Sequence, residues 1–454
     1  MLTGEYNILI DNMWLTDIIS FMLLLLPIIF LCFHIKWLLG LYAVSIVANL
    51  PLIFFMSFNF SYELIITFML GIKIIINVFK EKSIKYITTK ENLYLFFSLL
   101  LIIVVNLVTS LFNLNHKEYL IRSVIYLVNI FIFFTFTYYI NEPNRIEDIK
   151  NAIIVGAMIL AVSMIAEMVY GYYVLEVANM RPAGLLLDPN VSAFTLNISL
   201  IISFFKSKNI TFLKAVIYSM FRILTIFSIF LTVSRSGYIA LIIILFFLLF
   251  YYSQKDTNWL PVTIVSVFIF IYFLFFKTSI KFWETIHGII DLKRIFPFNK
   301  GSFPSGDGPS EPSASILDNE RIILIITALR IFINNIFVGV GIGNVIPKIS
   351  AYTGIRLNTH NLMLQLLAES GFLILVAFVL FGYYLFHLLK KAAVEIRWFL
   401  ILIFIVVAFE SLFNHNLLNL NFIWLIFSFV LAGNVIYSEN KKTFSIRILR
   451  NRQG

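Results

Sequence analysis

Residues 214–252 read KAVIYSMFRILTIFSIFLTVSRSGYIALIIILFFLLFYY. Outward from the SRSG turn at 234–237, apolar residues run back to about 214 and forward to about 252. Each run approaches the ~20 residues that cross a bilayer as a helix. The turn between them is too short to be a solvated loop, so Arg235 stands at a membrane rim. The same pattern recurs along the chain, at roughly 17–35, 38–57, 61–79, 92–112, 119–140, 151–171, 190–206, 259–277, 361–389, 397–414 and 418–437. The 454 residues are 60% hydrophobic and 13% charged, with a mean hydropathy of +0.94. A soluble protein with that balance has no way to hide its apolar surface. The runs are apolar all round, without the apolar–polar alternation of an outer-membrane barrel. The expected fold is an all-α polytopic membrane protein of about 12–13 transmembrane helices with one long outer loop.

The net charge of +10 is spread over short loops, which suits membrane topology better than nucleic acid. Lysines and arginines at 80–92, 206–214, 390–397 and in the basic tail 438–454 mark those segments as cytoplasmic by the positive-inside rule. Segments 172–189, 234–236, 278–360 and 415–417 then face outward. Thirteen spans put the N-terminus outside and twelve put it inside; the sequence leaves both open. Four regions follow: transmembrane helices over 1–277, the long outer loop over 278–360, transmembrane helices over 361–437 and the tail. No cleaved signal peptide is expected, and the lone Cys32 excludes an intramolecular disulfide. The outer loop carries a flexible Gly301–Ser315 linker and then a mixed apolar and charged stretch, Asn319–Phe337. That stretch suits a helix lying at the membrane surface.

Charged groups collect on the outer side although none was used to set the orientation. Arg181 opens RPAGLLLDPN at 181–190, Arg235 lies in the SRSG turn, and Arg321 and His360 belong to the long loop. Positive-inside bias disfavours arginines in short outer turns. Each has a structural explanation taken singly: a snorkelling anchor, a loop charge, a solvated ion pair. Together they suggest phosphate recognition, since guanidinium forks match phosphate oxygens and keep their charge. Arg122, near an outer span end, is a further candidate cation. The stretch Gly339–Gly371, GVGIGNVIPKISAYTGIRLNTHNLMLQLLAESG, places three alternate glycines before Thr359-His360-Asn361. The glycines let the backbone turn sharply or approach a ligand. His360 titrates near neutral pH and is able to take a proton from a hydroxyl, while Asn361 or Thr359 suits a helix cap. Glu369 lies about two and a half turns on, toward the same cavity; with Glu167 and Glu410 it is an intramembrane acid expected to neutralise an arginine. There is no phosphate-loop, HExxH, cysteine-cluster or DxD motif, so no metal or cofactor is expected.

The order RPAGLLLDPN, SRSGYIAL, a long outer loop, GVGIGN and THNLMLQLLAESG resembles the O-antigen ligase and O-antigen polymerase (Wzy-type) superfamily over about 180–375. The resemblance implies a metal-independent glycosyltransferase at the outer face of the bacterial inner membrane. It would move a glycan from undecaprenyl diphosphate to a sugar hydroxyl. It implies that Arg235 and Arg321 bind the diphosphate, that His360 is the essential loop histidine, and that Arg181 precedes the family's PN turn. Arg122, Asn361 and Glu369 complete the expected substrate-binding set. Polymerase, acting on a second lipid-linked repeat unit, and ligase, acting on lipid A–core, both fit; polymerase is preferred because that group is more varied. A chain-length regulator and a flippase would be its protein partners. A lipid-linked sugar flippase is the rival from another class, but it calls for charges deep in several spans rather than at one rim.

Overall fold

Within a bilayer the backbone finds no water, so an apolar run must close its own hydrogen bonds as a helix. A computed structural model of the chain describes residues 13–32, 35–50, 62–81, 90–140, 143–170, 181–205, 211–253, 314–354, 357–392 and 394–432. Among the described residues there are helices and no strands. In chain order they are α1 (Met13–Cys32), α2 (Ile35–Ala48), α3 (Tyr62–Glu81), α4 (Lys90–Ser110), α5 (His116–Tyr139), α6 (Pro143–Tyr170), α7 (Pro189–Ser203) and α8 (Phe212–Leu231). Then come α9 (Arg235–Ser253), α10 (Ala314–Asn334), α11 (Val345–Thr353), α12 (Leu362–Ser370), α13 (Leu373–Lys391), α14 (Val394–Ser411) and α15 (Asn421–Ala432).

Among the described residues, five stretches are long and apolar enough to cross a membrane: Leu93–Asn113, His116–Tyr139, Arg145–Val169, Phe212–Leu231 and Leu373–Lys391. Shorter apolar helices accompany them, including Ile35–Ala48, Pro189–Ser203 and Arg235–Leu248. The chain is an all-α, multi-pass membrane protein. The expected span at 259–277, most of the Gly301–Ser315 linker and the tail 438–454 lie outside the described residues.

The core is organised around α7, which is buried from Val191 to Ser203. It packs against α6, α8, α9 and α14. Its small polar side chains bond within the protein, as Asn197 does to the Gly237 carbonyl at 3.0 Å and Ser199 to the Thr195 carbonyl at 2.8 Å, which lets it sit inside the bundle. α15 is its counterpart, buried from Phe422 to Ala432, and Phe194 meets Phe422 edge to face at 6.1 Å between ring centroids. Elsewhere α2 lies along α6 and α4 along α13. Arg222, midway along α8, is explained by this packing. It donates to the Ser203 carbonyl at 2.8 Å and to the Ser203 hydroxyl at 3.1 Å, so a cation meets the C-terminal end of α7.

One expectation needs correcting. The single span read at 361–389 is two helices, α12 and α13, broken at Gly371. Gly371 takes φ +70° and ψ −156°, a region open to glycine alone, and a Cβ there would sit 2.6 Å from the Phe337 carbonyl carbon. The break lets the Phe372 amide donate to the Ile336 carbonyl at 2.6 Å, which pins the end of α10 to the start of α13. The stretch 319–337, expected to be helical, is largely covered by α10, and α11 follows it unforeseen. Leu324, Ile331, Val340, Val345, Ile349 and Ala368 form a small second core joining α10, α11 and α12.

The glycines before α11 meet protein backbone. Gly339 has φ +68°, and a Cβ on it would strike the Glu369 carbonyl. The Val340 amide donates to the Ala368 carbonyl at 2.8 Å and the Gly341 amide to the Glu369 carbonyl at 2.9 Å. Of the two readings open for GVGIG, a sharp turn accounts for the observed contacts: it seats the cap on the last turn of α12.

Candidate functional site

The motifs RPAGLLLDPN, SRSG and THN each place a helix N-terminus. Asp188 caps α7, accepting from the Asn190 amide at 2.8 Å and the Val191 amide at 3.4 Å, with Pro189 at the first helical position. Ser234 caps α9, accepting from the Gly237 amide at 3.2 Å. Asn361 caps α12, accepting from the Leu364 amide at 2.9 Å. Helix N-termini carry partial positive charge and free amides, so they favour anionic groups. Among the described residues, four non-glycine residues have positive φ: Asn49, Leu187, Val233 and His360. Leu187, Val233 and His360 each immediately precede one of these caps. The fourth, Asn49, donates to the Leu185 carbonyl at 2.6 Å, within the loop that leads to Asp188. Left-handed backbone at such residues costs roughly 1–3 kcal/mol each and collects where function fixes the geometry.

The first half of the site joins RPAGLLLDPN to SRSG. Arg181 Nε donates to the Thr232 carbonyl at 2.9 Å, and one of its terminal nitrogens donates to Asn190 Oδ1 at 3.3 Å. The Ser234 hydroxyl donates to the same Asn190 oxygen at 2.8 Å. Ser234 also meets the Ser236 hydroxyl at 3.1 Å. Glu167 holds the loop from below, one carboxylate oxygen accepting from the Ala183 amide at 2.9 Å and the Gly184 amide at 2.8 Å. These two bonds pin the backbone of the loop. Arg235 itself is exposed on the first turn of α9.

The second half surrounds the His360 loop. Thr359 is buried and its hydroxyl meets Gln365 Oε1 at 3.1 Å. Gln365 donates to Glu369 Oε1 at 2.8 Å. Asn106 on α4 donates to Glu369 Oε2 at 3.1 Å and to the Ser370 hydroxyl at 2.8 Å. The Tyr126 hydroxyl donates to Asn106 Oδ1 at 3.3 Å, and Arg122 lies within electrostatic reach of Tyr126 and Glu369. Glu369 is wholly buried, with both oxygens engaged by protein. The backbone of Arg321 falls on α10, and its side chain is outside the described residues.

Glu369→Ala should therefore be among the most destabilising single changes in this region. It takes the acceptor from the Gln365 amide and one of the two acceptors from the Asn106 amide, at a cost of about 1–3 kcal/mol for each buried donor left unpaired. A melting temperature well below that of the unsubstituted protein, with Glu369→Gln losing less, is the expected result in detergent.

The two halves meet on the turn after α14. Glu410, 1% exposed, hydrogen-bonds Ser236 and lies within electrostatic reach of Asp188. Two residues on, the Leu412 carbonyl accepts from Asn361 Nδ2 at 3.3 Å. His415 then faces His360, their ring centroids 5.7 Å apart and their planes at 90°. Residues 410–415 thus tie the arginine motifs to the histidine loop. The order of the chain hides this, because Glu410 and His415 follow Arg235 by about 175 residues. His415 was the residue least legible in sequence: an asparagine-flanked histidine in a short turn has no spacing signal.

Both ring nitrogens of His415 are buried and lack a hydrogen-bond partner among the described residues. Burial first, then His360 and Arg122, push its pKa down to about 4. An unfolded chain protonates the ring below about pH 6.5, whereas the folded protein resists until about pH 4. Stability is therefore unaffected above that window and falls as pH drops through it, by roughly 3 kcal/mol in all. The melting temperature should decline between pH 6.5 and 4, and His415→Phe should flatten that decline.

No curated protein matches the chain. Residues 220–379 match the family described as O-antigen ligase. The matched stretch begins before SRSG and ends beyond THN, so it contains Arg235, Arg321, GVGIGN, His360 and Glu369. Over residues 220–379 this multi-pass helical bundle is therefore similar to the O-antigen ligase family.

Proposed function

We propose that the protein transfers a glycan from undecaprenyl diphosphate to a sugar hydroxyl, at the outward face of the bacterial inner membrane and without a metal ion. The observation that carries this reading is the turn at 410–415, which ties the SRSG motif bearing Arg235 to the loop bearing His360. A diphosphate leaving group needs fixed positive charge, and Arg235 and Arg321 supply it, aided by the N-terminus of α9. Arg181 braces the turn that presents Arg235, and Arg122 adds a further cation near His360. Asn361 and Glu369 fix the loop on which the acceptor rests.

In the step itself the acceptor oxygen bonds to the anomeric carbon as the bond from that carbon to phosphate oxygen breaks. The electron pair leaves on undecaprenyl diphosphate, and the hydroxyl proton passes to His360. Attack opposite the leaving group inverts the anomeric configuration. The preferred acceptor is a second lipid-linked repeat unit, which makes the protein a polymerase served by a flippase and a chain-length regulator. The ligase reading, with lipid A–core as acceptor, draws on the description of the matched family.

Surface polysaccharide from a strain lacking the protein separates the readings. Single repeat units on lipid A–core indicate polymerase, and complete polymer left on the lipid carrier indicates ligase. Normal polysaccharide would remove both.

A further inference from the structure

Buried polar atoms are paired in nearly all folded proteins, and an unpaired one asks for an explanation. His415 leaves two nitrogens unpaired in the turn that joins the two halves of the site. Phenylalanine would fill the same space without stranding any polar group. The ring stands perpendicular to His360 at 5.7 Å between centroids, so its surroundings are those of the reacting hydroxyl. Arg122 lies within electrostatic reach and disfavours a second cation. A neutral imidazole offers one N–H donor and one lone-pair acceptor. That pair complements a sugar, whose hydroxyls both donate and accept.

We infer that His415 is a substrate-binding residue whose ring nitrogens are satisfied by hydroxyl groups of the acceptor glycan, holding it against His360. His360 remains the base, and His415 supplies neutral hydrogen bonds that choose which hydroxyl reaches it. The burial of those nitrogens implies a small ring rotation, or a shift of the 410–415 turn, on glycan binding. This inference rests on the glycan-transfer reading.

The test uses full-length protein in nanodiscs and, as probe, the undecaprenyl-diphosphate-linked glycan extracted from a strain lacking the protein. Binding is read by rapid mixing, before the probe is elongated, for the unsubstituted protein, His415→Phe, His415→Gln and His360→Ala. The expected result is binding weakened at least tenfold in His415→Phe, partly recovered in His415→Gln, and largely kept in His360→Ala. Phenylalanine suits a buried position, so a folding defect is not the expected cause of a loss; melting temperature checks this in each variant. Equal binding by His415→Phe and the unsubstituted protein overturns the inference and leaves the transfer reading intact. If the unsubstituted protein does not bind the glycan, both fall.

Discussion

His360→Ala should abolish surface polymer while leaving the protein in the membrane at close to its normal level. The imidazole is exposed, so removing it opens no cavity in the core. Its left-handed backbone, φ +51°, is a strain that alanine would share. The cap on α12 belongs to Asn361 and the buried bonds belong to Thr359, so the loop keeps its anchors. The variant removes the proposed base for the acceptor hydroxyl, a loss of about 10²- to 10⁴-fold in rate. The measurement is a glycan ladder beside a membrane immunoblot. Normal polymer at normal abundance would show that the loop histidine does no chemistry.

Arg235→Ala should be the second large effect, of about 10²- to 10³-fold, the usual consequence of removing one fixed donor from developing negative charge. The residue is exposed at the first turn of α9, so its truncation opens no cavity in the core. Folding should therefore be little affected. Arg235→Lys discriminates between charge and geometry: lysine keeps the charge and loses the planar fork that matches two phosphate oxygens. Partial activity in the lysine variant, falling further as salt is raised, is the expected outcome. Activity equal to the unsubstituted protein in Arg235→Ala would make this arginine a headgroup anchor only.

Much of this architecture was legible because membrane constraints act on long stretches. Twenty apolar residues announce a helix whatever their order, so the runs around 92–112, 119–140 and 214–233 needed no tertiary information. Features decided by one residue's contacts were not legible. Nothing in AESGF tells a reader that Gly371 is left-handed and pinned beneath Phe337, so α12 and α13 read as one helix. The glycines of GVGIG were noticed for the right reason, their missing Cβ atoms, but only the contact between Gly339 and the Glu369 carbonyl shows what approaches them.

The site followed the same division. Arginines in segments expected to face outward stood out because the positive-inside rule disfavours them there, and His360 stood out through its THN setting. Asn106, Tyr126 and Gln365 are unremarkable residues inside apolar spans, and their network around Glu369 exists only after α4, α5 and α12 have packed. His415 and the 410–415 turn belong to the same class. A long-range join between two motifs leaves no periodic trace in the chain.

The most direct test of the central claim is transfer by the purified protein in nanodiscs containing EDTA, supplied only with lipid-linked glycan. Glycan elongation with release of one undecaprenyl diphosphate per bond formed, lost in both His360→Ala and Arg235→Ala, is the predicted result. Absence of transfer, or transfer that requires an added divalent cation, would contradict it.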